Sequence, residues 1–272
     1  MITDSRIDLP PDIGPKIGRF TVTAPVASLY SKPSKIQPLA SQIIFGQQLD
    51  IYKLHRGWAW GQRFTHTRRK GYIGYIKAAV LSDEIIRPTH HVSAMGGPVF
   101  TKPDIKSPVQ MVLPLNSRIS SGGSSDDFIK IGPKRFLHAK HLSPMSKRLR
   151  IEKFVSVAEA HMGLPYIWGG VSSFGLDCSG LVQSSLYAAG HDAPRDSDMQ
   201  MAALGQALPI RQSGLKRGDL IFWKGHVGIM LGAAQMIHAN AYHMKVASEP
   251  LSEAVLRIKA AGGGDITAIK RL

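Results

Sequence analysis

GLDCSGLVQSSLYAAG, residues 175–190, holds the only cysteine of a 272-residue chain and decides how the C-terminal half is read. Cys178, Leu181, Val182, Leu186 and Ala189 recur at helical spacing and Gly190 supplies a stop, so the stretch predicts a helix that begins at the cysteine. A lone cysteine has no disulfide partner within its chain, which leaves packing, metal binding or reactivity. A buried, inert cysteine is the commoner case, but a helix-start position would suit reactivity. A free thiol, with a pKa of about 8.5, is mostly protonated at neutral pH. The unpaired N–H groups of a helix N-terminus favour the thiolate, the form that attacks carbonyls. Such a nucleophile needs a histidine as base and a group that orients the base.

Downstream, GDLIFWKG (218–225) and HVGIMLG (226–232) read as strands joined by a tight glycine turn, and QMIHAN (235–240) as a third. His226 opens the second strand and His238 lies 12 residues further on, in the third. Neighbouring antiparallel strands can set the two side by side, His226 facing Cys178 and His238 holding its far nitrogen. A metal site made of Cys178, His226 and His238 is the rival reading, but the paired short spacing of zinc ligands is missing. Upstream, SKRLRIEKFVSVAEAHMG (146–163) places Phe154, Val155, Ala158, His161 and Met162 on one helical face and stops at Gly163 and Pro165. PRDSDMQ (194–200) reads as a loop, in which Asp196 or Ser197 could cap a following helix. DITAIKRL adds β character at the C-terminus. Helices followed by antiparallel strands predict an α+β domain over residues 145–272.

The first half repeats itself. Leu29-Tyr30-Ser31-Lys32-Pro33 returns 70 residues later as Val99-Phe100-Thr101-Lys102-Pro103, and the same offset carries Gly46 onto Asn116, Leu49 onto Ile119 and Trp58 onto Phe128. QQLDIYKL, GWAWGQRF and GYIGYIKAAVL alternate aromatic or β-branched residues with polar or glycine positions, the period of half-buried strands. Two small all-β units, over 17–83 and 84–144, are therefore expected after an N-terminal extension of residues 1–16.

Net charge is +15 and uneven, with 20 basic against 9 acidic residues in 1–144 and 14 against 10 in 145–272. A basic front half suits an anionic partner, either polymer or carboxylate-rich small molecule. The densest run, Arg68-Arg69-Lys70, lacks the interleaved aromatics of single-strand binders, so no nucleic acid is expected. No run reaches the roughly 18 apolar residues of a membrane span. The opening MITDSRIDLPPDIGPK has neither the basic start nor the apolar core of a secretory signal. With no disulfide framework either, the expected address is the cytoplasm.

Leu164-Pro165-Tyr166-Ile167-Trp168-Gly169-Gly170, Asp177-Cys178-Ser179-Gly180-Leu181-Val182, Gly218-Asp219-Leu220, His226-Val227-Gly228-Ile229 and Ile237-His238-Ala239 together resemble, in order, the motifs of the NlpC-type cell-wall cysteine peptidases. These are papain-like enzymes that cleave peptidoglycan peptides. The two β units resemble the bacterial SH3-like domains that precede this catalytic domain in γ-D-glutamyl-L-diamino acid endopeptidases. The fold implied is an α+β papain-like catalytic domain behind two small all-β SH3-like barrels.

By the same resemblance Cys178 would be the nucleophile, His226 the general base and His238 its orienting partner. The Tyr166 hydroxyl and the Cys178 backbone N–H would bind the oxyanion. Arg195-Asp196-Ser197 matches a motif lining the substrate cleft, where Asp196 would take the free amine of an N-terminal L-Ala and Ser197 the peptide beside it. Tyr72 falls where the subgroup's first SH3-like domain has a tyrosine against that amine, and Gln47 stands where it has an acid. No cofactor or metal is implied. The substrate implied is an L-Ala-γ-D-Glu-diamino acid peptide. A hydrolase anchored to intact wall and a catalytically inactive wall-peptide binder are the alternatives.

Overall fold

The 70-residue offset read in the sequence reappears as strand geometry in the computed structural model, which describes residues 3–65, 67, 70–147 and 151–272. His66 and the basic pair Arg68-Arg69 lie outside the described residues, as do residues 148–150. The chain forms two units, residues 1–147 and 148–272.

The first β module comprises β1 (Gly18–Val22), β2 (Val26–Tyr30), β3 (Leu39–Ile44), β4 (Gln48–His55), β5 (Trp58–Arg63), β6 (Ile73–Lys77) and β7 (Leu81–Ser82). They form one antiparallel sheet in the order β3-β2-β6-β5-β4-β1-β7 around fully buried Leu29, Ile43, Leu49, Ile51 and Ile76. The second contains β8 (His90–Val92), β9 (Gly96–Phe100), β10 (Val109–Pro114), β11 (Arg118–Ile119), β12 (Ser124–Ser125), β13 (Phe128–Gly132), β14 (Arg135–His138) and β15 (Leu142–Pro144). Strands β9 and β10 lie 70 residues after β2 and β3 at both ends, and Asn116 repeats the left-handed turn of Gly46, with φ of 69° and 76°. Gly46 has a further constraint, since a Cβ there would come within 1.8 Å of the Arg118 carbonyl oxygen.

The second copy departs from the first in more than one place, among them the counterpart of β4. Where β4 runs unbroken, its counterpart is split into β11 and β12 by Ser120-Ser121-Gly122-Gly123, with Gly123 at φ 116°. Glycine and serine pack poorly on a pleated surface. The sheet therefore divides into β10-β9-β14-β13-β12 and β11-β8-β15. The N-terminal extension packs onto the first module: Arg6 O accepts from Ile73 N–H at 2.8 Å and Ile7 O from Gln62 Nε2 at 2.7 Å.

Unit 148–272 is mixed. It contains α1 (Phe154–Ala160), a hairpin of β16 (Val171–Ser172) and β17 (Gly175–Leu176), α2 (Cys178–Ala188) and α3 (Ser197–Ala203). After these come β18 (Gln206–Leu208), β19 (Leu220–Trp223), β20 (His226–Met230), β21 (Gln235–Asn240), β22 (Lys245–Pro250), α4 (Leu251–Ala260) and β23 (Ala268–Arg271). The sheet order is β18-β23-β19-β20-β21-β22, with every pair antiparallel. Alternate residues of β19 serve two cores: Leu220 and Phe222 join Val182 and Leu186 of α2, whereas Ile221 and Trp223 join Leu251 and Ala254 of α4. A helix buried against a sheet on this scale explains why ten residues of α2 are buried rather than a single stripe.

Two expectations need correction. The helix expected over 146–163 is a 3-10 turn at Ile151–Lys153 followed by a short α1, and Met162 points outward at 45% exposure while Phe154, Val155, Ala158 and His161 are buried. PRDSDMQ is a loop only up to Asp196, since Ser197 begins α3. Strand β22 and helix α4 were not read in the sequence. Among the described residues, no helix is long and apolar enough to cross a membrane.

Candidate active site

Asp177 is the N-cap of α2, and its carboxylate is held from every side. Oδ1 accepts from Gly180 N–H at 2.7 Å and Oδ2 from Gly169 N–H at 2.9 Å. Arg195 closes the network with Nη1 on Oδ1 at 3.0 Å and Nη2 on Oδ2 at 2.6 Å, and Nη1 also donates to Ser179 Oγ at 2.9 Å. Gly180 is required here because a Cβ would lie 2.1 Å from Gly170 O. Helix start, glycine-rich lead-in and Arg195 segment are thereby locked around Cys178.

The Cys178 side chain is buried against the chain that carries His226. Sγ lies 4.0 Å from Gly225 O, and the N–H groups of Val227 and Ser179 also point at it. Burial pushes the thiol up to about 12, with the Asp177 charge adding to the rise, and these N–H groups and Arg195 only partly oppose it. Burial thus works against the expected helix-start thiolate and favours the protonated thiol.

His226 Nε2 and His238 Nδ1 are 2.8 Å apart, and His238 Nε2 is 2.7 Å from Glu249 Oε1. Glu249 in turn accepts from Arg257 of α4. Burial lowers His226 to about 3, assisted by His238, and lowers His238 to about 3, assisted by Arg257. Both imidazoles are neutral. Since His238 occupies Nε2 of His226, Nδ1 is the nitrogen left for a proton from the thiol. Among the described residues, the hydrogen-bond partner of Sγ is Gly225 O rather than an imidazole. Catalytic contacts of this kind are often long before substrate arrives.

The two histidines bond each other instead of converging with Cys178 on one point, which weighs against the rival metal reading. A different trio, His238, His243 and Glu249, offers ligand atoms within 4.8 Å of one another. Its carboxylate is already engaged by His238 and Arg257, so a cation would have to displace a guanidinium.

Tyr166 is half-buried, and its phenol is raised to about 12 by burial first and then by Cys178 and Asp177, which keeps it a hydrogen donor. Arg195, expected at the substrate cleft, is buried and bonded to Asp177 and Ser179. Asp196 stands at the N-cap of α3 without a side-chain cap bond, and Ser197 is buried as the first residue of that helix. Gln47 and Tyr72 belong to the first β module. Gln47 is buried with Oε1 accepting from Ile44 N–H at 3.2 Å, which closes its turn, and Tyr72 packs against the module's core. Glu249 and Arg257 are the site residues that sequence reasoning missed.

A helix-start cysteine against a strand-borne histidine pair, on an antiparallel sheet behind an all-β region, defines a papain-like cysteine peptidase with SH3-type modules. Comparison with known proteins agrees with this class. Residues 163–261 match the NlpC/P60 family and residues 29–81 the bacterial dipeptidyl-peptidase SH3 domain. The chain thus carries an NlpC/P60 domain and, ahead of it in sequence, a bacterial SH3-type domain. It is 28% identical over 222 residues to the γ-D-glutamyl-L-lysine dipeptidyl-peptidase of Bacillus subtilis strain 168, covering 74% of this chain and 72% of that protein. Dipeptidyl-peptidase 6 of Lysinibacillus sphaericus is 27% identical over 243 residues, covering 80% of this chain and 86% of its own. The crystal structure of an NlpC/P60 family protein from Bacillus cereus ATCC 10987 shares the fold with a TM-score of 0.76 at 20% identity, over 93% of this chain and 99% of that one.

Proposed function

We propose that the chain is a cysteine endopeptidase that hydrolyses the γ-D-glutamyl–diamino acid bond of peptidoglycan-derived peptides bearing a free N-terminal L-Ala. The observation that carries the proposal is the hydrogen-bonded His226–His238 pair on the strands beside Cys178 at the start of α2. The relatives named as γ-D-glutamyl-L-lysine dipeptidyl-peptidases support the bond and the release of a dipeptide.

The chemistry follows from the protonation states. Cys178 passes its proton to His226 Nδ1 as Sγ attacks the γ-carbonyl, because neither thiolate nor imidazolium stands preformed. The oxyanion takes hydrogen bonds from the Cys178 backbone N–H and the Tyr166 hydroxyl. His226 returns the proton to the departing amine of the diamino acid, leaving a γ-glutamyl thioester. Water, deprotonated by His226, then attacks the thioester carbonyl and releases the dipeptide and the thiol. Asp196 supplies the counter-charge for the free amine and Ser197 lies beside the peptide. The peptide substrate is rich in carboxylates, to which a chain of net charge +15 is complementary. Free peptides of this kind arise once wall fragments are recycled, and a cytoplasmic place of action belongs to the same proposal.

The test is mass spectrometry of L-Ala-γ-D-Glu-meso-diaminopimelate after incubation with the protein, beside the N-acetylated peptide. Cleavage of the free peptide alone is expected. Cleavage of both would keep the chemistry and favour a hydrolase of intact wall, whereas cleavage of neither would favour the inactive binder.

A further inference from the structure

The hydrogen bonds from His226 to Glu249 form a chain that could carry its protons in either direction. A neutral imidazole has one N–H and one lone pair, and the group on its far nitrogen selects which is which. Here the far group is a carboxylate. Glu249 Oε1, 2.7 Å from His238 Nε2, also takes the Arg257 guanidinium, which is permanently charged. An ionised carboxylate only accepts, so His238 carries its proton on Nε2 and presents a lone pair at Nδ1. His226 must then donate from Nε2 across the 2.8 Å contact, which leaves the lone pair on Nδ1. In the opposite direction, His238 Nδ1–H would donate to His226 Nε2 and put the His226 proton on Nδ1. That tautomer cannot accept a proton from Cys178.

We propose that Glu249, clamped by Arg257, is a positioning residue that sets the tautomer of both histidines and so makes His226 a base. This rests on the reading of Cys178 and His226 as nucleophile and base. Three structural features favour a built device over a surface ion pair. The Glu249 and His238 side chains are 10% and 0% exposed. Glu249 is fixed on β22 opposite Met236 of β21, so one sheet register sets its distance to His238 two residues along. Arg257 is anchored separately, over the ring of Tyr242 at 4.5 Å. Also facing this end are His243, whose ring lies 6.4 Å from that of His238, and Glu253. Both line a groove of about 580 Å³ with Tyr242, Ser248, Glu249 and Arg257, so the outer face of the carboxylate borders a groove while its inner face holds the relay.

The experiment pairs steady-state kinetics with ¹⁵N NMR of the imidazoles. Wild type should show one tautomer, with Nε2 protonated in both His226 and His238. Glu249→Gln keeps the shape, but its amide can donate as well as accept. It should lower kcat by about 10–100-fold, the size of other supporting-residue effects, leave KM within about twofold, and give mixed tautomers. Glu249→Asp should recover part of kcat. A folded Glu249→Gln protein with kcat within twofold of wild type, or with the tautomers unchanged, would overturn the proposal. If that variant fails to fold, Arg257→Met carries the test, with lowered kcat and mixed tautomers expected and wild-type values on both counts contradicting. Should wild type itself fail to cleave the peptide, the functional reading falls and the tautomer signals alone decide the role of Glu249.

Discussion

Cys178 sits between two polar networks that look alike and differ in what they can vary. On one side, Asp177, Arg195 and Ser179 form a buried cluster in which the main bonds run one way, since a guanidinium only donates and an ionised carboxylate only accepts. On the other, two imidazoles stand in line with Glu249 and Arg257, and each imidazole can place its proton on either nitrogen. The first network fixes where the thiol is. The second fixes where the proton goes. A site needs both kinds, and the difference predicts how each fails.

The relay should fail with acid. His226 and His238 are held near 3 in the fold against about 6.5 in an unfolded chain, so both bind a proton on unfolding between those values. Stability is therefore complete above about pH 6.5 and falls as the pH drops toward 3, by up to about 1.4 kcal/mol per pH unit for each histidine. Urea unfolding at pH 7, 5.5 and 4.5 would measure it, and replacing His238 by Gln should flatten the dependence. A dependence unchanged by that replacement would remove His238 as its source.

The Asp177–Arg195 pair should fail by mutation. Their side chains are 11% and 4% exposed, so Arg195→Met leaves a buried carboxylate without its main partner and should cost about 3–5 kcal/mol. The lowered Tm should come with lost activity, because the helix start that carries Cys178 loosens. A loss below 1 kcal/mol would show that the two networks do not divide the work in this way.

The smallest effect is expected where a similar ion pair faces solvent. Arg217 and Glu159 meet at 2.5 Å with side chains 41% and 40% exposed, and Arg217→Ser should shift stability by less than about 1 kcal/mol without changing activity. A shift as large as that of Arg195→Met would mean that burial is not what separates the two pairs.

Much of this was legible in the residues, and the gaps have physical causes. The repeat was visible because side-chain identity tracks strand position: Leu29 and Val99 are fully buried at equivalent places on β2 and β9, and Gly46 and Asn116 share a positive φ. The split of the second sheet was also written in Ser120–Gly123, as a run too poor in side-chain packing to continue a strand. Cys178, His226 and His238 stood out because their neighbours are distinctive. Glu249 did not, since its strand, KVASEP, ends in a proline and reads as a turn. The signal available was α4, where Leu251, Ala254 and the Gly262 stop mark a helix and place Arg257 one turn after Glu253. The proton on the thiol is hard to read from sequence for a different reason. A helix start is visible in sequence, but the depth at which it is buried is not, and burial dominates the Cys178 proton.

On the proposed mechanism, Cys178 forms a covalent bond to the γ-glutamyl carbonyl during turnover. Intact-protein mass spectrometry of rapidly acid-quenched mixtures with L-Ala-γ-D-Glu-meso-diaminopimelate tests it most directly. The expected result is an adduct of one L-Ala-γ-D-Glu acyl group, located on Cys178 by peptide mapping and absent from Cys178→Ala, which should lose about 10⁴-fold or more in rate. Hydrolysis by Cys178→Ala at the wild-type rate, with no adduct on either protein, would contradict it.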